Sequence, residues 1–138
     1  MTRSAGKEER NMKVLVLDDS PLLCERLRDT LHASPDVEVL DGGGDLLNSL
    51  RMVRELKPDT VVLDMRVRRR FGINILRNIR KTMPTPVVVV LTNKLFPENF
   101  GKETNDEADF FFDKFTEMDK LLNILTQPRS RLLTQSGV

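Results

Sequence analysis

Apolar and polar positions along this chain alternate between two repeating patterns. Short continuous apolar runs occur at MKVLVL (12–17), VEVL (37–40), TVVLD (60–64), VVVVLT (87–92) and DFFFDK (109–114). Their length and their β-branched and aromatic content predict strands. Between them, apolar residues recur at three- and four-residue spacing, which predicts helices. Leu23, Leu27 and Leu31 form the first stripe, with Ser20 as N-cap, Pro21 at the first helical position and an end before Ser34-Pro35. Leu46, Leu50 and Val53, with Leu47, form the second, which stops at KPD (57–59). Ile75, Leu76 and Ile79 line a third helix starting near Gly72. Residues 97–107 make a poor fourth helix, because they include Gly101, Asn99 and Asn105. Met118, Leu121, Leu122 and Leu125 mark the last.

Five strand–helix repeats with continuous rather than alternating apolar strands imply a parallel sheet covered on both faces. The fold class expected is α/β, a doubly wound five-stranded parallel sheet. The predicted organisation is one folded domain over 12–127, between tails at 1–11 and 128–138.

Composition narrows this picture little. The chain has 138 residues, 39% of them hydrophobic and 31% charged, with a net charge of +1. No global field draws it to nucleic acid or to a membrane. The single cysteine, Cys24, excludes an internal disulfide and fits a reducing compartment. Met1 to Asn11 has no apolar core of a signal peptide, and no apolar stretch is long enough to span a bilayer. A cytoplasmic location is expected.

In an open parallel sheet the ligand site lies beyond the carboxyl ends of the strands. Those ends carry Asp18 and Asp19 after the first strand, Asp64 on the third, Thr92 on the fourth and Lys114 after the fifth. Three carboxylates against one ammonium leave excess negative charge, which a hard divalent cation relieves. Mg²⁺ is the choice, since it takes few carboxylates and keeps several waters. With the charge balanced, an anionic phosphoryl group can approach, and a carboxylate can attack phosphorus to give an acyl phosphate. Asp64, nearest the sheet centre, is the expected nucleophile. Asp18 and Asp19 are the metal ligands, Lys114 neutralises charge, and the Thr92 hydroxyl donates to a phosphoryl oxygen.

These residues resemble the receiver domain of two-component response regulators, the CheY-like fold, over about residues 12–126. The matching segments are LDDSP (17–21), KPDTVVLDMR (57–66), VVVVLTN (87–93) and ADFFFDK (108–114). The resemblance implies strand order 2-1-3-4-5. It also implies a sensor histidine kinase that donates phosphate to Asp64, and Arg66 supplying a backbone carbonyl to Mg²⁺. Thr92 and Phe111 would form the switch, altering the face made by the fourth helix, fifth strand and fifth helix. A downstream protein target is expected to read that face, and a stand-alone monomer or weak dimer is expected. Three positions depart from the family pattern. Phe115 and Arg68 stand where Pro is usual, and Asn93 where Ala or Gly is usual, narrowing access to Asp64. Arg66 and Lys94 either flank the line of water attack and, with Asn93, slow hydrolysis of the phosphoryl group, or point into solvent, two equally weighted expectations.

A phosphorelay intermediate, passing phosphate to a histidine phosphotransfer protein, is equally compatible with these residues. A Mg²⁺-dependent aspartyl-phosphate phosphohydrolase ranks lower, because it places D-x-D rather than adjacent acids on its first strand. A flavodoxin-like flavin module ranks lower still, lacking a hydroxyl-rich loop after the first strand. The basic run RVRRR (66–70) reads as a solvated loop ahead of a docking patch, and DGGGD (41–45) as a turn. His32 is expected at the surface and Cys24 as a small residue on the first helix. Phe110 and Phe112 should share one sheet face, with Phe111 on the other.

Overall fold

A computed structural model describes residues 12–18, 21–34, 36–43, 45–64, 76–92 and 108–127. Strands β1 (Met12–Leu17), β2 (Val37–Asp41), β3 (Thr60–Asp64), β4 (Val87–Thr92) and β5 (Phe110–Asp113) form one sheet. All pairings are parallel and the order is β2-β1-β3-β4-β5, as expected. The helices are α1 (Leu22–Thr30), continued by a 3₁₀ turn at Leu31–Ala33, α2 (Leu46–Leu56) and α3 (Met118–Leu125). Residues 76–79 are also helical.

Successive strand residues point to opposite faces, so one unbroken apolar run feeds two cores. Val14, Val16, Val62, Val89 and Leu91 pack with Leu23 and Leu27 of α1 and Leu121, Ile124 and Leu125 of α3. Leu15, Leu17, Val61, Leu63, Val88 and Val90 pack with Leu50 and Val53 of α2 and with Leu76 and Ile79. Phe110 and Phe112 stack at 5.9 Å against the first core, and Phe111 packs against the second. Cys24 is buried and His32 exposed, as expected. Burial pushes the Cys24 thiol pKa up, which keeps it protonated and unreactive.

Two expectations shift. The first is the start of α1: Pro21, not Ser20, occupies the cap position, and its carbonyl accepts from the Glu25 N–H at 3.0 Å. Proline needs no partner for an N–H and has a suitable φ of −74°. The second is Leu47, which does not join the α2 stripe and is 77% exposed. At about 100° per residue it lies well off the face shared by Leu50 and Val53, and Ser49 is buried there instead. The Ser20 side chain, Ile75, Gly72, the run 66–70 and residues 97–107 lie outside the described residues.

Carboxylates staple the amino edge of the sheet. Asp59 Oδ2 accepts from the Lys13 N–H at 2.8 Å, tying β1 to the start of β3. Asp109 Oδ2 accepts from the Val88 N–H at 2.8 Å and from Arg80 at 3.0 Å. The carboxyl edge, where the site lies, is thereby left to the loops.

The described part of DGGGD, residues 41–43 and 45, lies at that carboxyl edge. Asp41 Oδ1 accepts from the Gly43 N–H, and Gly43 has φ +69°, a region that disfavours side chains. Asp45 caps α2 by accepting from the Asn48 N–H at 3.0 Å. Gly42 lies so close to β1 that a Cβ there would collide with the Leu17 side chain. At its other end α2 stops where Lys57 adopts a left-handed conformation before Pro58.

Candidate functional site

Strand register brings the predicted residues to one edge. Leu17 pairs with Leu63, so Asp18 follows β1 directly beside Asp64 at the end of β3. Asp64 pairs with Leu91, and Thr92 pairs with Asp113. Lys114 therefore begins one residue beyond β5, two strands from Asp64, or about 9–10 Å at ordinary strand spacing. Its side chain crosses the end of β4, and Nζ donates to Asp64 Oδ2 at 2.7 Å. The pair is deeply buried, with side-chain exposures of 13% for Lys114 and 1% for Asp64.

Asp18 and Asp64 are the buried carboxylates among the described residues. Two neighbouring buried carboxylates offer oxygen donors only. That donor set fits a hard cation such as Mg²⁺. Asp19 and Arg66, the other expected contributors, lie outside the described residues, as do Asn93 and Lys94. Thr92 closes β4 between Asp64 and Lys114 in the register. Phe111 is half-buried on the sheet face covered by α2.

The turn that carries Lys114 has a clamp that sequence reasoning missed. Asp113 Oδ1 accepts from the Phe115 and Thr116 N–H groups, at 2.8 and 3.0 Å. In return Glu117 Oε1 accepts from the Asp113 N–H at 2.8 Å. This reciprocal arrangement is a capping box stretched by one residue, and it fixes the backbone of Lys114 from both sides. The bond from Asp113, then that from Lys120, holds the Glu117 carboxyl below the usual carboxylate range. Acids spaced D-x-x-x-E just before the last apolar stripe were the available signal. The Lys114 ammonium also lies 5.8 Å from the Phe115 ring centre.

Comparison with known proteins agrees with this architecture. Residues 14–126 match the response regulator receiver domain family. A protein-glutamate methylesterase/protein-glutamine glutaminase of Hahella chejuensis is 39% identical over 90 residues, 65% of this chain and 24% of that protein. Its counterpart in Vibrio vulnificus is 35% identical over 83 residues, 60% of this chain and 24% of that protein. The chain thus spans about a quarter of the length of these curated relatives. A response regulator from Thermotoga maritima superposes with a TM-score of 0.71 at 19% identity, over 90% of this chain and 98% of that one. A CheY-like receiver domain from Methylobacillus flagellatus gives 0.67 at 18% identity, over 83% and 96%. At such identities the structures speak for the fold, while the family match spans most of the sequence. The chain belongs to the response regulator receiver domain family.

Proposed function

We propose that this chain is a phosphoacceptor switch in two-component signalling, with its receiver domain over residues 12–127 and Asp64 as the phosphorylated residue. The observation that carries this reading is the buried 2.7 Å pair between Asp64 and Lys114 beside Asp18. A buried carboxylate at the end of the central strand is held ready by a cation that can transfer its hydrogen bond to an incoming phosphoryl oxygen.

A carboxylate oxygen of Asp64 attacks the phosphorus of a phosphohistidine on a sensor kinase. The P–O bond forms as the P–N bond breaks, and the donor histidine departs with the bonding pair. Lys114 then faces the phosphoryl group, and the Thr92 hydroxyl donates to it. Phe111 follows Thr92 inward, and a downstream protein reads the altered surface around β5 and α3. Asp18, Asp19, Asp64 and the Arg66 carbonyl would hold Mg²⁺. When bound, the ion supplies positive charge against the phosphoryl oxygens. The same chemistry serves a regulator or a relay intermediate. Among the described residues no helix is long and apolar enough to cross a membrane, and we place the activity in the cytoplasm.

The test is intact-protein mass after incubation with a small acyl phosphate, with and without Mg²⁺. Wild type should gain one phosphoryl group only with Mg²⁺, and Asp64→Asn should gain none. Phosphorylation that survives in Asp64→Asn, or fails in wild type with Mg²⁺ bound, would overturn the assignment.

A further inference from the structure

At the amino edge of the sheet, opposite Asp64, a groove of about 360 Å³ runs between the end of α2 and the segment leading into β4. Its lining includes Val53, which is buried, and the cations Arg54 and Lys81, both exposed. Met83, at 85% exposure, and Pro84 add apolar surface to the lining. Neither Arg54 nor Lys81 has a carboxylate partner among the described residues. The neighbouring acids are already engaged. Glu55 pairs with Arg51 at 3.3 Å, Asp59 accepts from the Lys13 N–H, and Asp109 accepts from Arg80 and Val88.

Two uncompensated cations share a concave surface with a long, flexible, solvent-exposed thioether. Methionine at such a position adapts to varied apolar partners, and unpaired cations on its flanks select negative charge. A phosphate polymer would use the cations but has no use for Met83 and Pro84. Such a polymer would also call for stacking aromatics, and the groove has none.

We propose that this groove docks an acidic protein segment, one carrying an apolar side chain between carboxylates. The apolar side chain lies against Met83 and Pro84, and the carboxylates meet Arg54 and Lys81. The site is separate from the phosphorylation edge, so such a partner can stay bound while a kinase addresses Asp64. The occupant is recognised by charge pattern and one apolar anchor, which gives weak and salt-dependent binding suited to scaffolding or localisation.

The experiment is an NMR titration of the ¹⁵N-labelled full chain with a seven-residue peptide of Glu and Asp bearing one central Leu. A matched peptide with Ser for Leu and a twelve-nucleotide single-stranded DNA serve as probes of the two recognition elements. Saturable shifts are expected at the amides of Arg54, Asn78, Lys81, Thr82, Met83 and Thr85. Arg54→Glu and Lys81→Glu should each weaken binding by at least about fivefold. Arg26→Glu, exposed on α1 across the sheet, should change it less than about twofold. Met83→Ser should weaken the Leu peptide and leave the Ser peptide unchanged. All four positions are exposed, so thermal unfolding close to wild type should accompany each variant. Shifts spread over the surface, or an equal loss in Arg26→Glu, would overturn the proposal. So would DNA that competes at the groove with no effect of Met83→Ser, which would reassign the face to phosphate polymers.

Discussion

Replacing Lys114 with Met removes the charge of a buried ion pair while keeping most of the side-chain volume. The partner, Asp64, has a side chain 1% exposed and lies beside buried Asp18. At an effective dielectric near 20, two unit charges about 4 Å apart attract by about 4 kcal/mol. Breaking a buried pair from one side costs about 3–5 kcal/mol, because the remaining charge loses its compensation. Lys114→Met should therefore destabilise the fold by about 3 kcal/mol without Mg²⁺, a large share of the roughly 5–15 kcal/mol typical of a domain. At about 4 °C per kcal/mol for a domain of this size, Tm should fall by about 12 °C. Asp64→Asn should cost less, about 1–2 kcal/mol, since Asp18 remains near the ammonium. The double variant should recover part of the sum, leaving a coupling energy of at least about 1.5 kcal/mol. Urea unfolding of the four proteins in EDTA measures this cycle. Additive single effects, with coupling under about 0.5 kcal/mol, would refute the pairing on which the site rests.

Three further perturbations test the surrounding framework. The folded-state pKa of Glu117 is depressed by the Asp113 N–H and then by Lys120, so its contribution is present above the ordinary carboxylate range. That contribution is lost as pH falls through the lowered value, and Glu117→Gln should flatten the acid limb of a stability–pH curve measured by urea unfolding. Thr60 is fully buried with its hydroxyl unpartnered among the described residues, so Thr60→Val should be neutral or stabilising by up to about 1 kcal/mol in the same assay. A loss above about 1 kcal/mol would point to a hydroxyl partner. Gly42→Ala would push a methyl against Leu17, the residue before Asp18, and should cost about 1–3 kcal/mol. Mg²⁺ affinity, followed by thermal shift, should fall with it.

The order of strands and helices, and the edge on which the polar residues gather, follow from local pattern. A run such as Val87–Val90 favours extended backbone wherever it lies, and its lack of alternation already states that both faces are covered. The alternation of Phe110, Phe111 and Phe112 across the sheet was equally legible, since a strand's period is two. Helical stripes were legible to within one turn, and Leu47 shows the limit. An apolar residue beside a stripe reads as part of it until the neighbouring helix and sheet define the buried arc. The staples at Asp59 and Asp109 use backbone N–H partners, which carry no signature in the residue string, and the clamp between Asp113 and Glu117 left only its D-x-x-x-E spacing as a signal. Asp64 and Lys114 were nameable from strand ends fifty positions apart. Their 2.7 Å contact depends on sheet order, which places β5 two strands from β3 and so within a lysine's reach of the carboxylate. The basic groove is tertiary in the same sense. Arg54 and Lys81 are unremarkable surface residues until packing lines one groove with both while Glu55 and Asp109 pair with other cations.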